Sequence, residues 1–233
     1  AVLAAPGFAA DPPPLAVHIV SGCDEYKSEP SLRAFAQELT ARYRADVTGT
    51  WAKPGATSLD GLDAVPKADV LLVFALRLRP PEDQLKVLRA HWEAGKPVVG
   101  VRTANRAFDK AFERDVLGTA HAGHGPPTRA VTVTTAAGRA DHPVLAGVGA
   151  MASKKLYKQG VLPAGAVPLQ LGDDGDGRHP VTVAFASDKG RRAVYTSLGV
   201  PPDFQDEDFR RLLTNAVFWA AARDPAAYAR PHP

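Results

Sequence analysis

The segment VVGVRTANRAF, residues 98–108, changes at a glycine from an apolar run to side chains that can bind a ligand. Arg102 keeps its proton, so it cannot act as a nucleophile or a base. Its guanidinium can form bidentate hydrogen bonds with a carboxylate, a phosphate or a pair of sugar hydroxyls. Thr103 and Asn105 follow, and both types also serve well as turn or cap residues. The segment predicts either the edge of a binding site or an ordinary strand-to-helix turn.

A second polar segment, CDEYKSE at residues 23–29, places two carboxylates and an aromatic ring side by side. Asp24 and Glu25 could bind hydroxyl groups or move protons, and Tyr26 could line a pocket. The alternative is that the acids are solvated charges near a helix N-terminus, where the helix dipole favours them. In that case Tyr26 packs across the loop as a hydrophobic side chain.

The segment HAGHG, residues 121–125, has an H-x-x-H spacing that can place two imidazoles on a metal if a third ligand comes from elsewhere. Two histidines in a glycine-rich loop are a weak basis for a metal site. We therefore expect His121 and His124 to be neutral histidines that hydrogen-bond in a crevice, with no metal and no cofactor. His124 is the preferred general acid or base, because imidazole titrates near neutrality.

The acidic segment GDDGDG, residues 172–177, resembles part of a calcium-binding loop. Such a loop needs Glu at its twelfth position, and the residue found there, counted from Asp173, is Ala184. We expect a solvated connection that leads into a hairpin.

Buried strands that alternate with amphipathic helices must position these residues. Apolar runs predict strands at 15–20, 46–51, 68–76 and 97–101. A helix should follow the first strand, with Ser28 as its N-cap and Pro30 in its first turn, and a second helix should occupy 80–95. This alternation favours a right-handed, doubly wound parallel sheet.

The second half of the chain differs. Residues 130–135 alternate in polarity, while 180–185 and 191–198 flank a turn and predict an antiparallel hairpin in the same sheet. A closing helix at 206–222 should cover one face. We interpret residues 15–223 as a single α/β domain and 224–233 as a C-terminal tail.

Composition excludes several classes of protein. The net charge of +3 is small for 233 residues, so we expect no nucleic-acid partner. Cys23 is the only cysteine, which excludes an internal disulfide and a multi-thiolate metal site, and we expect it to be buried. No apolar run approaches the length of a membrane-spanning helix, so we expect no membrane partner.

The first residues are apolar and lead into DPPP, which resembles the end of a secretory signal peptide followed by a linker at residues 1–14. This predicts export, to the periplasm or the outside of the cell. The alternative is the N-terminal arm of a cytoplasmic protein.

Over roughly residues 15–222 the chain resembles the trehalose-utilisation (ThuA-like) family, a branch of the class I glutamine amidotransferase-like superfamily with a flavodoxin-like sheet. The segments that carry the resemblance are SGCDEYKSE, PVVGVRTA, DVLGTAHAGHG (115–125), DHPVL (141–145), KKLYK (154–158), GRRAVYTSLG (190–199) and DFRRLLTNAVFWAA (208–221). It implies an α/β, flavodoxin-like doubly wound, mostly parallel sheet with an antiparallel hairpin near the C-terminus.

The resemblance also implies what the chain lacks. Where the amidotransferase relatives present a nucleophilic Cys, this sequence has Arg102, and where they place a His after YTSLG it has Val200. A Cys-His mechanism needs a thiolate and a nearby general base. Cys23 lies on a different loop, so we expect no glutamine hydrolysis.

In an open α/β sheet, ligands bind in a crevice at the carboxyl ends of the strands, where helix N-termini and loop amides converge. The family's association with sugar catabolism implies a carbohydrate or a keto-sugar derivative as the ligand. The residues expected to line the crevice are Asp24, Glu25, Tyr26, Arg102, Thr103, Asn105, His121, His124, Tyr157 and Ser197. Glu25 or His124 would move protons, and Arg102 and Asp24 would orient hydroxyls.

Four alternatives remain. Arg102 could be a structural ion-pair partner of a nearby acid, Tyr157 could belong to the core, and Ser197 could simply end its strand. The whole crevice could also belong to a non-catalytic module that binds a sugar or a protein. The oligomeric state is left open.

Overall fold

One large sheet organises the chain, and the computed structural model describes it over residues 12–53, 55–56, 58–126 and 129–231. The expected signal-peptide segment therefore lies, for residues 1–11, outside the described residues. The strands are β1 (Leu15–Gly22), β2 (Ala45–Trp51), β3 (Val70–Ala75), β4 (Val98–Val101), β5 (His121–His124), β6 (Val131–Thr135), β7 (Met151–Ser153), β8 (Tyr157–Gln159), β9 (Ala166–Asp173), β10 (Arg178–Ala186) and β11 (Arg192–Thr196). The helices of more than two turns are α1 (Ser28–Arg42), α2 (Glu82–Glu93) and α3 (Glu207–Ala220).

Nine of these strands form a sheet in the order β2-β1-β3-β4-β11-β10-β9-β6-β7. The pairs from β2 to β11 are parallel and the pairs from β11 to β7 are antiparallel. Strands β5 and β8 pair separately as a two-stranded antiparallel ribbon. The predicted α/β, mostly parallel sheet with an antiparallel hairpin near the C-terminus is confirmed.

The parallel half of the sheet is covered on both faces, which explains why its strands are almost entirely apolar. All six residues of β3 are buried. Alternate residues of this strand face different cores: Leu72 packs in the core formed with α1 and α3, whereas Leu71 packs with α2. Since parallel strands end at one edge, the loops after β1, β3 and β4 meet there, as the sequence predicts.

The loop between β1 and α1 differs from the prediction. Ser28 is not the N-cap of α1 but its first residue, and the N-cap is Lys27, with φ 51°. The hydroxyl of Ser28 instead accepts from the Cys23 amide at 2.9 Å and lies 2.8 Å from the hydroxyl of Ser21. This side chain therefore fastens the start of the loop to the end of β1.

Two predicted loops are more ordered than expected. HAGHG is not a loop: it contains β5, which pairs with β8 so that His124 lies opposite Tyr157. GDDGDG is not simply a solvated connection either. Asp174 is 1% exposed, and its carboxylate accepts from the amides of Asp176 and Gly177 at 3.0 and 3.2 Å.

Within the described ranges, no helix is both long enough and apolar enough to cross a membrane.

A tight elbow follows β4. Arg102 has φ 53°, a left-handed conformation that costs energy for any residue with a Cβ. Two neighbours hold it: the Tyr195 hydroxyl donates to the Arg102 carbonyl at 2.7 Å, and Gly199 (φ 119°) packs so closely that a Cβ there would lie 2.7 Å from Val101 Cγ1. The end of β11 thus fixes the direction in which the elbow projects its side chains.

Replacing Gly199 tests this close approach. Gly199→Ala should lower the free energy of unfolding by about 3 kcal/mol, because it adds overpacking to an unfavourable φ. Gly190→Ala is the matched control, since Gly190 has φ 80° but nothing within 4 Å of an added Cβ, and it should cost about 1 kcal/mol. Urea denaturation measures both. Equal losses in the two variants would contradict a packing constraint at the elbow.

Two buried histidines should make the fold sensitive to acid. Burial lowers the pKa of His18 and of His91 to about 4. The unfolded chain binds protons near pH 6.5 and the folded chain does not, so the stabilisation is complete above pH 6.5 and declines as the pH falls towards 4. Each histidine should cost about 2 kcal/mol of stability by pH 5. Urea midpoints between pH 7 and 5 measure this, and His18→Asn should reduce the loss of stability over that range by about 2 kcal/mol.

Candidate functional site

Three separate parts of the chain converge at the carboxyl edge of the sheet. The rings of His121, His124 and Tyr157 lie edge to face, with centroids 4.9 to 5.2 Å apart. The guanidinium carbon of Arg102 lies 4.1 Å from the centre of the Tyr157 ring and 4.6 Å from that of Tyr26. We call this group, with the charged residues that act on it, the elbow cluster; it comprises Glu25, Tyr26, Arg102, Arg106, His121, His124, Lys155 and Tyr157.

Arg102 forms the centre of the elbow cluster. It is 1% exposed, and its Nη1 donates to the carbonyls of Ser197 (2.6 Å) and Lys155 (3.3 Å), while Nη2 donates to the Tyr26 hydroxyl at 3.3 Å. No carboxylate in the described part of the chain forms a salt bridge with it, so the ion-pair alternative is not observed. Aromatic faces and carbonyl oxygens stabilise this cation instead. A ligand can reach the guanidinium only if Tyr26 or Tyr157 moves.

The two histidines of β5 are the titratable bases of the elbow cluster. Burial, followed by the charge of Arg106, lowers the pKa of His121 to about 4, and its Nδ1 is buried with no partner among the described residues. His124 is exposed, and its pKa is lowered by partial burial and then by the charges of Arg106 and Arg102. Both imidazoles are therefore neutral at pH 7, and only His124 is freely accessible.

Glu25 supplies the negative charge of the elbow cluster. It is exposed, and its carboxylate raises the pKa of His124 against the opposing effects of Arg106, Arg102 and Lys155. Three cations thus act on one accessible imidazole together with a single acid. The described residues contain no group of three or more His, Cys, Asp or Glu side chains arranged to hold a metal.

The remaining predicted residues lie outside this group or below it. Asp24 is exposed, forms an ion pair with Lys27 at 3.4 Å, and lines a crevice to which no member of the elbow cluster contributes. Three others are at most 1% exposed and lie beneath the surface: Thr103, Asn105 and Ser197. The Ser197 hydroxyl and both polar atoms of the Asn105 amide have no partner among the described residues. Asp24 and Glu25 therefore belong to different sites, and Thr103, Asn105 and Ser197 are buried residues that a ligand on the surface cannot contact.

Cys23 is buried, as expected. Burial is the main cause that raises the pKa of its thiol. A protonated, enclosed thiol is a poor nucleophile.

Sequence reasoning missed two cations, Arg106 and Lys155. Arg106 is half-buried, and its side chain forms no hydrogen bond or salt bridge within the described ranges. The ammonium of Lys155 lies 5.3 Å from the centre of the Tyr26 ring. Both occur in segments already noted, VRTANRAF and KKLYK, but nothing in their spacing shows that they approach the same histidine.

This arrangement suits proton transfer in positive surroundings. A neutral imidazole can accept a proton, and nearby cations stabilise the negative charge that develops on the reacting molecule. It does not supply an activated thiol. The chemistry of these side chains therefore favours acid-base catalysis or the binding of a polar ligand over acyl transfer.

Comparisons with known proteins agree with this architecture. A ThuA-like protein from Bacteroides uniformis ATCC 8492 is 16% identical with a TM-score of 0.70, and the match covers 96% of this chain and 98% of that one. A ThuA-like protein from Parabacteroides merdae ATCC 43184 is 17% identical with a TM-score of 0.67, covering 94% and 93%. A glutamine amidotransferase from Thermotoga maritima is 9% identical with a TM-score of 0.52, covering 89% and 98%. At these identities the likeness shows the fold alone.

No protein of curated function matches the sequence. The family model for ThuA, described as trehalose utilisation, matches residues 16–220. The match includes all three helices and every strand, and it omits only the first residue of β1. With this match over most of its length, the chain belongs to the trehalose-utilisation (ThuA) family.

Proposed function

We propose that the chain binds a carbohydrate or a keto-sugar derivative at the elbow cluster and transfers a proton to or from it through His124. The observation that carries this proposal is that the accessible imidazole of His124 lies 4.9 Å from the Tyr157 ring, which in turn covers the buried cation of Arg102. The surrounding charges keep this imidazole neutral, because burial and the cations Arg106, Arg102 and Lys155 lower its pKa. The description of the family as trehalose utilisation supports a sugar as the ligand.

Recognition would rely on the accessible members of the elbow cluster. Glu25 can accept hydrogen bonds from sugar hydroxyls, and Arg106 and Lys155 can donate to sugar oxygens. Tyr26 and Tyr157 are only 6% and 1% exposed, so they support the site from below and do not stack on the ligand. The ring of His124 is the exposed aromatic surface.

A keto-sugar suits the chemistry of this site. The C–H bond next to a ketone is acidic because its electron pair can move onto the carbonyl oxygen. His124 would take the proton, and Arg106 and Lys155 would stabilise the resulting enolate oxygen. Return of the proton to the enediolate at the neighbouring carbon, from His124 or through Glu25, would complete an isomerisation.

Glutamine amidotransferase activity is not part of the proposal. The elbow presents Arg102, which cannot lose its proton, and the thiol of Cys23 is enclosed on another loop. Val200, at the position where a catalytic His would be expected, is 4% exposed.

Substitution of His124 tests the catalytic part. His124→Gln should lower kcat/KM for a keto-sugar substrate by about 100-fold or more, because the general base is lost. His142→Gln is the matched control, since the pKa of His142 is also lowered but its ring packs against Trp219, 5.0 Å away. Turnover of a panel of sugars and their 3-keto derivatives, with affinity measured calorimetrically, gives both quantities. Glu25→Gln should mainly weaken binding.

The pH profile gives an independent test. The pKa of His124 is lowered, so the base form persists below pH 6.5, and kcat/KM should fall only when the pH drops through that lowered value. The acid limb should be absent in His124→Gln. Saturable sugar binding without turnover in the parent protein would favour a non-catalytic binding module, and the absence of binding to every sugar in the panel would refute the proposal.

A further inference from the structure

A crevice lies at the same edge of the sheet as the elbow cluster. It is a crevice of about 440 Å³, lined by residues 22–24, 52–53, 55–56 and 76–79, which follow β1, β2 and β3. We call it the switch-point crevice. Strand β2 pairs with one edge of β1 and the next strand in sequence, β3, pairs with the other edge. At such a reversal of strand order the connecting loops run in opposite directions, which leaves room for a ligand between them.

Small residues keep the crevice open. Gly22, Ala52, Gly55 and Ala56 all line it. A Cβ at Gly22 would lie 2.8 Å from Leu78 Cδ2, so the walls already pack closely at this point. The volume falls within the range of sites that bind small molecules.

The crevice carries positive charge that no acid among the described residues neutralises through an ion pair. Lys53, Arg77 and Arg79 all line it. Within the described ranges the side chains of Lys53 and Arg77 form no hydrogen bond or ion pair, and that of Arg79 donates only to the carbonyl of its neighbour Leu78, at 3.1 Å. The one acid in the lining, Asp24, is paired with a lysine outside it.

The backbone holds Arg77 in a fixed, unfavourable conformation. This residue has φ 52°, and its amide donates to the carbonyl of Arg106 at 2.9 Å. The next amide, of Leu78, donates to the carbonyl of Ala107 at 2.8 Å. The loop after β3 is thus tied to the segment that follows the elbow. Strain of this kind persists only where the surroundings impose it, and here it fixes the point on the loop from which the Arg77 side chain projects.

From these features we propose that the switch-point crevice binds the phosphate or pyrophosphate group of a small metabolite. Three cations without an ion pair among the described residues match a ligand group that carries two or more negative charges. Two of these cations are arginines, which form bidentate hydrogen bonds with phosphate oxygens. A single carboxylate would leave most of this charge uncompensated. The site is separate from the elbow cluster, so this inference does not rest on the proposed sugar chemistry.

Titration calorimetry with inorganic pyrophosphate at low ionic strength tests the proposal. The parent protein should bind it saturably, and Arg77→Gln and Lys53→Gln should each raise Kd by about tenfold. Arg223→Gln is the matched control, because Arg223 is an exposed cation outside the crevice, and it should leave Kd unchanged. Unfolding midpoints equal to that of the parent would show that the variants fold.

A second variant separates a shaped site from diffuse surface charge. Ala56 is exposed and lines the crevice, so Ala56→Phe fills the space without removing a cation, and it should abolish pyrophosphate binding. Titration with citrate distinguishes phosphate from polycarboxylate recognition and should show weaker binding. No saturable binding by the parent, equal binding by Ala56→Phe, or citrate bound as tightly as pyrophosphate would each overturn the assignment.

Discussion

The guanidinium of Arg102 is a buried cation, and no carboxylate in the described part of the chain pairs with it. Removing such a charge from water costs several kcal/mol unless other groups replace the lost hydration. Here two carbonyls and a tyrosine hydroxyl accept its hydrogen bonds, and two tyrosine rings cover its faces. Because these groups come from the β1–α1 loop, from the start of β8 and from the end of β11, the requirement of one side chain fixes three parts of the chain relative to one another.

The absence of a paired acid also determines the electrostatics above Arg102. A carboxylate against the guanidinium would cancel its field, whereas the carbonyls and rings leave the net charge in place. The retained charge, together with those of Arg106 and Lys155, opposes protonation of His124. A neutral base surrounded by cations is an unusual combination, because the same field that keeps the imidazole unprotonated also stabilises an anion formed beside it.

The sheet could be predicted because its strands are read from local patterns. The runs that became β1, β3 and β4 are apolar and end at turn residues, and all the strands predicted from the sequence lie within two residues of their observed ends. The β5–β8 ribbon could not be predicted in this way: its strands have four and three residues, and β5 contains Gly123 at φ 115°. Arg102 was correctly placed at an elbow, but its burial contradicts the usual preference of arginine for water and follows only from partners distant in sequence.

At the carboxyl edge of the sheet, cations outnumber acids by more than the overall composition of the chain would suggest. The chain as a whole is nearly balanced, with 28 Lys and Arg against 25 Asp and Glu. Yet the charged residues of the elbow cluster and the switch-point crevice are six cations (Lys53, Arg77, Arg79, Arg102, Arg106 and Lys155) and two acids (Asp24 and Glu25). The β1–α1 loop supplies both acids, one to each site, and the hydroxyl of Ser28 fastens this loop to the Cys23 amide at 2.9 Å. This excess of cations favours negative charge at the carboxyl edge, and the concave walls of the switch-point crevice focus the field there.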